Sequence, residues 1–399
     1  MSKQIQDAYI VAAVRTPVAR RNGAFRAVRP DDLLAKVLRE VVAKVPSLDA
    51  SEIGDVITGC AMPEAEQGMN VARIGLLLAG LPDSVPGITI NRFCASGLQA
   101  VADAASRIRL GEADVMIAAG TESMSAMPQI MGNKVSLNPE IFARAENVSI
   151  AYGMGLTAEK VAQQWKVSRE DQDAFAVESH RRACAAIAGG QFKDEILPYA
   201  VKSYAPGADG TVRITERLVE HDEGPRQDAA ADKLGKLKPV FAARGSVTAG
   251  NSSQMSDGAA AVLLMSEAAL KRYDARPIAR FSSFAVAGVP PEVMGIGPVE
   301  AIPSALTRAG VSIADIGWTE LNEAFAAQAL AVMRQLEMDP AKVNPLGGAI
   351  ALGHPLGATG AIRTATLMAA MQRDPGLRYG MISMCIGTGM GAAGVFERV

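Results

Sequence analysis

Two stretches of the chain, one early and one late, run through the same order of strand-like and helix-like segments. In the first, Asp55–Cys60 reads as a strand, Met69–Ala79 as a helix and Gly87–Asn91 as a strand. A turn around Cys94 then leads into a helix whose apolar positions Leu98, Val101, Ala102, Ala105 and Ile108 keep a 3.6-residue period, with Ser96 as its cap and Gly111 as its stop. Asp114–Gly120 is a further strand. In the second, Ile316–Leu321 reads as a strand, Glu323–Gln335 as a helix, Ala361–Met371 as a helix after a turn around His354, and Tyr379–Met384 as a strand. The pair Ile53-Gly54 returns as Ile316-Gly317, 263 residues later, and His354 follows Cys94 by 260. Near-equal offsets predict two similar halves from an internal duplication, with Cys94 and His354 on corresponding turns.

The stretch from Ser125 to Gly245 breaks this pattern. It is polar, with one clear helix opened by Ser168 and closed by Gly189-Gly190. It reads as an insertion on a layered core. Thr248–Met265 then returns to strand-like sequence and rejoins the first half. The expected division is a first half over 1–124 completed by 247–275, an inserted loop domain over 125–246, and a second half over 276–399. A hydrophobic content of 49% with 38 glycines and only 5% aromatics suits closely packed α/β layers, and Tyr9–Val14 supplies a first strand.

Global properties exclude several classes. A net charge of −2 favours neither nucleic acid nor an anionic membrane. No apolar run reaches the ~18 residues of a membrane span, and the start, Met1 to Asp7, lacks a signal-peptide pattern. Cys60, Cys94, Cys184 and Cys385 form no Cys-x-x-Cys pair, which points to free thiols in a reducing, cytoplasmic setting.

Three glycine-flanked segments carry reactive side chains: Asn91–Gly97 around Cys94, Gly347–Gly357 around His354, and Met384–Gly389 around Cys385. Cys94 precedes a helix start, whose partial positive charge favours thiolate. A free thiol near pKa ~8.5 lacks ~2 kcal/mol at pH 7, and a helix terminus supplies ~0.3–1 kcal/mol. His354 is the natural base for the remainder. Exposed turn N–H groups suit a thioester oxyanion, and a second thiol beside the first suits proton transfer. One such segment means little, since a lone cysteine is usually a small buried hydrophobe. Three together predict acyl transfer.

These segments resemble the signatures of the thiolase family. Asn91–Gly97 is similar to its nucleophilic-cysteine motif, Asn322–Ala326 to its Asn-Glu-Ala-Phe motif, Gly347–Gly360 to its Gly-His-Pro motif and Cys385–Gly391 to its Cys-x-Gly motif; Thr248–Gly258 and Met294–Pro298 extend the likeness over essentially the whole chain. The resemblance implies a five-layered αβαβα thiolase fold. It implies Cys94 as nucleophile, His354 as its activator, Cys385 as acid/base, Asn322 holding a water in one oxyanion hole, and the Cys94 and Gly387 N–H groups forming the other. Ser253 would lie near the pantetheine arm of coenzyme A and Arg226 near its adenine, with Leu237 also at the cofactor. Met154, Met294 and Phe325 would line the acyl and pantetheine tunnel. Coenzyme A is then a co-substrate, with no tightly bound cofactor and no metal. The expected state is a homodimer or homotetramer, with Gly87–Asn91 near the dimer axis and a β-oxidation complex as a further partner. Tyr152-Gly153-Met154-Gly155, without a histidine before its Met-Gly, together with Gly288–Pro298 and Asn344–Gly347, resembles the degradative 3-ketoacyl-CoA branch more than the biosynthetic acetoacetyl-CoA one.

Other patterns carry less. Gly389–Gly394 spells a dinucleotide fingerprint but leaves no room for the helix and strand that must follow. His180 and Cys184, one helical turn apart, fall short of a zinc set. His221 reads as solvated, and Arg226, Lys233, Lys236 and Lys238 either attract phosphates or form an exposed face. A decarboxylating ketoacyl synthase and a non-catalytic acyl-CoA-binding protein on the same fold are the alternative functions.

Overall fold

The computed structural model describes residues 5–126, 137–206 and 210–399. The chain start at 1–4 and, within the expected insertion, residues 127–136 and 207–209 lie outside the described residues.

The first half runs β1 (Ala8–Arg15), the short β2 (Ala19–Arg20), α1 (Pro30–Ala43), β3 (Ile53–Gly59), α2 (Val71–Leu78), β4 (Gly87–Ile90), α3 (Ser96–Arg109) and β5 (Val115–Ser123). Then come α4 (Met154–Gln164), α5 (Arg169–Ala188), the hairpin strands β6 (Tyr199–Pro206) and β7 (Val212–Val219), and α6 (Ala231–Leu234). The chain returns through β8 (Ser256–Ser266), α7 (Glu267–Tyr273) and β9 (Ala279–Gly288). The second half follows as α8 (Gly297–Ala309), β10 (Ile316–Leu321), α9 (Ala326–Gln335), α10 (Ala349–Leu352), α11 (Thr359–Arg373), β11 (Tyr379–Ile386) and β12 (Met390–Arg398).

The main sheet runs β10-β11-β12-β9-β1-β8-β5-β3-β4, with β2 alongside β8. Its halves meet where Tyr9 pairs with Arg280 and Ile10 with Ala279. Each half combines a parallel pair (β3 with β5, β10 with β11) with antiparallel neighbours (β5 with β8, β11 with β12). Where the first half has β4, the second has a single parallel bridge from Thr319 to Val343.

Both faces of β5, β8, β11 and β12 are buried, so these strands read as continuous apolar runs rather than alternating ones. In β5, Val115, Ile117 and Ala119 pack with Leu33, Leu34, Leu38 and Val41 of α1 on one side. Met116 and Ala118 pack on the other with Leu98, Val101 and Ile108 of α3 and Leu367 and Met371 of α11. In the second half, Met381, Ala393 and Val395 meet α8 and α9 through Ile302, Leu306, Val332 and Met333, while Ile382, Met384 and Phe396 join the central cluster. Helices α3 and α11 are therefore the middle of five layers. Each fully buried Leu or Ile there contributes roughly 1.5–3 kcal/mol.

The repeat has one constant offset of 263. It relates the starts of β3 and β10, the short turns Phe93–Ala95 and Leu356–Ala358, and the starts of α3 and α11. The turns correspond, but Cys94 pairs with Gly357, and His354 pairs with Asn91. The two central helices cross where a Cβ on Gly97 would lie 2.6 Å from Ala361 N and one on Gly360 would lie 2.1 Å from Leu98 N. Only glycine admits that approach at both related positions, and it is what brings the two turns side by side.

Several boundaries move for local reasons. Ser96 is the first helical residue rather than the cap; its Oγ accepts from Arg92 N and donates to Phe93 O, because a 3-10 turn precedes α3. The helix expected from Glu323 begins at Ala326, since the Gln328 side chain bonds Asn322 O and Phe325 N and holds the preceding residues out of it. The strand expected from Thr248 begins at Ser256; Asn251 instead ties Thr248 N to its side chain and Ala326 N to its carbonyl. The middle stretch holds α4 and a hairpin besides α5, whose Ser168 cap accepts from Asp171 N.

Candidate active site

Cys94 lies in the turn between β4 and α3, one residue after Phe93, whose φ of 44° is rare for a side chain of that size. Burial pushes the Cys94 thiol up to about 11, with a charge on Glu122 adding to the rise and the Gly387 and Cys94 backbone N–H groups, which favour thiolate, only partly opposing it. The lowering expected from the helix start alone is thus reversed. At pH 7 such a thiol is ionised in roughly one molecule in 10⁴, so activation has to come from a proton acceptor acting during attack.

His354 is buried in the turn before α11. Its main-chain N–H lies 3.2 Å from both Gln254 O and Ser256 Oγ. Its Nδ1 is 2.6 Å from Thr359 Oγ1, and its Nε2 is 3.4 Å from Asn322 Nδ2. An amide nitrogen only donates, so Nε2 is the acceptor, and Nδ1–H donates to the threonine. Burial and the Arg363 guanidinium hold the ring down at about 3, so it is neutral and able to take a proton.

Asn322 follows β10, with its N–H on Ser383 O at 2.9 Å. Its Oδ1 is buried and makes no hydrogen bond within the protein among the described residues. Such an acceptor suits a water or a substrate donor. Cys385, near the end of β11 and opposite Gly391 of β12, belongs to an apolar cluster with Ala158, Val247, Met294, Ala324 and Phe325. Burial and the neighbouring Cys94 drive its thiol far up, so it is held neutral and protonated.

The structure therefore brings Cys94, Gly387 and Cys385 together, and pairs Asn322 with His354. Gly387 also adjoins Met154, since a Cβ on it would lie 3.5 Å from Met154 Sδ. Met294 and Phe325 are buried beside Cys385, while Met154 is exposed. Ser253, half-buried, donates its N–H to Ala324 O. Arg226 and Leu237 stand apart from the thiols. They line a cavity of about 300 Å³ with His180, Lys233, Gln254 and Ile350, joined to the His354 turn through Gln254. A separate cavity of about 740 Å³ beside α4, lined by Tyr152, Leu156 and Arg244 among others, touches none of the reactive residues.

His180 turns its Nδ1 to the Arg226 N–H at 3.1 Å, and burial holds its ring at about 4. Lys233 and Lys236 pair locally with Asp228 and Asp232. Two supports escaped the sequence reading. Thr359 orients the imidazole, and its signal was a hydroxyl opening the helix five residues after His354. Glu323 accepts from Ser179 Oγ, Asn344 Nδ2 and Ile350 N, fixing the Asn322 loop to α5 and α10; its signal was an acid directly after a buried strand.

Comparison with known proteins bears on this constellation. Residues 8–268 match the family described as thiolase, N-terminal domain, and residues 275–398 the one described as thiolase, C-terminal domain. A 3-ketoacyl-CoA thiolase of Bacillus subtilis is 52% identical over 394 residues, covering 98% of this chain and 100% of that protein. The dimeric peroxisomal thiolase of Saccharomyces cerevisiae superposes with a TM-score of 0.89 at 40% identity, covering 100% of this chain and 99% of that one. The acetyl-CoA acetyltransferase of Bacillus anthracis gives 0.89 at 39% identity over 100% of both chains.

Proposed function

The chain belongs to the thiolase family, and from that premise we propose a role for each reactive residue. The protein is a thiolase acyltransferase, a 3-ketoacyl-CoA thiolase (acetyl-CoA C-acyltransferase) that uses coenzyme A as a substrate.

His354 Nε2 takes the Cys94 proton as the sulfur attacks the 3-keto carbon. The 3-keto oxyanion is received by the Cys94 and Gly387 N–H groups, while the substrate's thioester oxygen, which takes up the enolate charge, faces a water held at Asn322 Oδ1 and the imidazolium just formed. The C2–C3 bond then breaks, the electron pair goes to C2, and the Cys385 thiol gives that carbon its proton. Acetyl-CoA leaves, and the shortened acyl group stays on Cys94 as a thioester whose carbonyl oxygen lies between the Cys94 and Gly387 N–H groups. One such donor is typically worth on the order of 10²–10³ in rate. Incoming coenzyme A gives its thiol proton to the Cys385 thiolate and attacks the thioester. Cys94 leaves as thiolate and recovers its proton from His354. The cycle balances with no redox change.

The observation that carries this reading is the pairing of a neutral imidazole with Asn322 Nδ2, the buried Oδ1 of the same amide having no hydrogen-bond partner among the described residues, beside two thiols that both need a partner to ionise. Met154, Met294 and Phe325 form the apolar lining on the acyl side. Ser253, Arg226 and Leu237 receive coenzyme A, the last two in the cavity behind the His354 turn. The test is kcat/KM across 3-ketoacyl chain lengths: activity well beyond four carbons supports the degradative reading. Activity confined to acetoacetyl-CoA would turn the protein into a biosynthetic enzyme, the reading favoured by its likeness to the acetyl-CoA acetyltransferase.

We also propose a homodimer formed along the edge strand β4, where Ile88 is 46% exposed. The dimeric yeast relative supports it, and mass by light scattering tests it against a tetramer or a larger β-oxidation complex. No helix among the described residues is long and apolar enough to cross a membrane. The four free thiols fit a reducing compartment, the cytoplasm, which fractionation of cells expressing the full chain would check.

A further inference from the structure

The internal repeat gives the reactive turn a second copy with different chemistry. At an offset of 263, Cys94 corresponds to Gly357 and Cys385 to Glu122. Glu122 lies near the end of β5 as Cys385 lies near the end of β11, and it is fully buried. Its Oε2 accepts from Ala61 N and Gly357 N, both at 2.8 Å. Its Oε1 accepts from Met62 N at 3.2 Å and from Gln67 Nε2 at 2.5 Å. Gln67 is fixed in turn, since its Oε1 takes the Ser123 N–H at 2.8 Å.

Burial pushes the Glu122 carboxyl up, but its four nitrogen partners all donate. A protonated carboxyl would turn its own O–H against one of them. Saturation by donors therefore holds the group as an anion. Its charge is felt at Cys94, where it opposes thiolate.

We propose that Glu122 is a positioning residue: its carboxylate pins the Gly357 turn and so sets the His354 ring for its work with Cys94 and Asn322. The path is short. Gly357 lies between His354 and Thr359, whose Oγ1 holds the ring Nδ1. Within the same turn Leu356 N donates to His354 O and Ala358 N to Pro355 O. The turn is wedged against the loop that Glu122 also holds, since a Cβ on Gly357 would lie 2.5 Å from Ala61 N. One anion thus clamps the Ala61–Met62 loop to the histidine turn, at some electrostatic cost to the thiolate nearby.

The inference rests on the roles proposed for Cys94 and His354. Its test is Glu122→Gln, which keeps the shape, removes the charge and turns an amide N–H₂ toward N–H donors. The measurements are kcat and KM for thiolysis and the rate of Cys94 alkylation by iodoacetamide at pH 8. A loosened turn lowers kcat by on the order of 10²-fold with KM little changed. Loss of the opposing anion makes alkylation faster. A carboxylate that only glued the fold would not move the two rates in opposite directions. A kcat within about twofold of wild type, or a fall in kcat without faster alkylation, overturns the proposal. If Glu122→Gln does not fold, Gln67→Leu decides, since it removes one of the four nitrogen donors and leaves the weaker Cys60 Sγ–H donor in place: a severalfold loss of kcat at unchanged KM supports the clamp, and unchanged kcat overturns it. Wild-type protein that is not alkylated at Cys94 sinks the active-site roles themselves. Labelling at Cys94 with an indifferent Glu122→Gln variant sinks this inference alone.

Discussion

Each reactive residue is set by a local conflict between burial and hydrogen bonding. Cys94 and Cys385 are both pushed up, but only Cys94 has N–H donors from a second segment at its sulfur. That asymmetry separates nucleophile from acid/base. Cys94→Ala is expected to abolish acyl-enzyme formation. Cys385→Ala is expected to slow thiolysis and condensation far more than acylation of Cys94 by a simple acyl-CoA, and equal loss in both assays would undo the division. The buried histidines give a stability signature. His354 and His180 sit at about 3 and about 4 when folded, against 6.5 when free. The unfolded chain therefore binds more protons below pH 6.5. The stabilisation is complete above that pH and declines as pH falls toward the folded values, by about 1 kcal/mol per histidine over the first unit. Buried Glu320, raised to about 7, acts in the opposite sense over this range, so the test is the comparison: His180→Asn should lose less stability than wild type between pH 7.5 and 5.5, read from urea midpoints, and an unchanged difference would contradict it. Cys94, His354 and Cys385 stand out in the sequence because glycines and strand ends flank them, whereas Asn322 enters only through the family resemblance. The direction of the Cys94 shift was not legible, because it follows from burial in the folded chain, with the remote Glu122 adding to it and the remote Gly387 opposing it.

At the level of elements, the site depends on how closely α3 and α11 cross. Gly97→Ala and Gly360→Ala each set a methyl against the other helix's backbone, so the helices must part. Each is expected to cost about 1–3 kcal/mol and at least tenfold in turnover, read by thermal melts and kcat. Normal turnover would mean that the crossing does not position the turns. Strand and helix cores were readable from periodicity, and Ile316–Leu321 agrees at both ends. The misplaced starts share one cause: at Ser96, Glu323 and Thr248 a side-chain bond fixes the backbone in a form that period alone does not show.

Across the whole molecule, the repeat sets the layers and a buried charge cluster ties the middle stretch to them. Arg15 of β1 bonds Glu195 at 2.6 Å and holds Asp222 through two bonds of 2.7 and 2.9 Å, while Thr366 of α11 donates to the same Glu195 at 2.9 Å. Arg15→Met strands two buried carboxylates and is expected to cost roughly 3–5 kcal/mol in chemical denaturation. A loss under about 1 kcal/mol would mean that they neutralise by taking up protons. The duplication was visible as two similar offsets, 263 and 260, but which residues correspond was not. Only the fold shows that Cys94 answers to Gly357, so the halves supply unlike parts of one site. The most direct test of that site is to mix the protein with a 3-ketoacyl-CoA without free coenzyme A and read intact mass and released products. The mechanism predicts an acyl adduct two carbons shorter than the substrate, mapped to Cys94, and one equivalent of acetyl-CoA. No adduct, or an adduct on another residue, would contradict it.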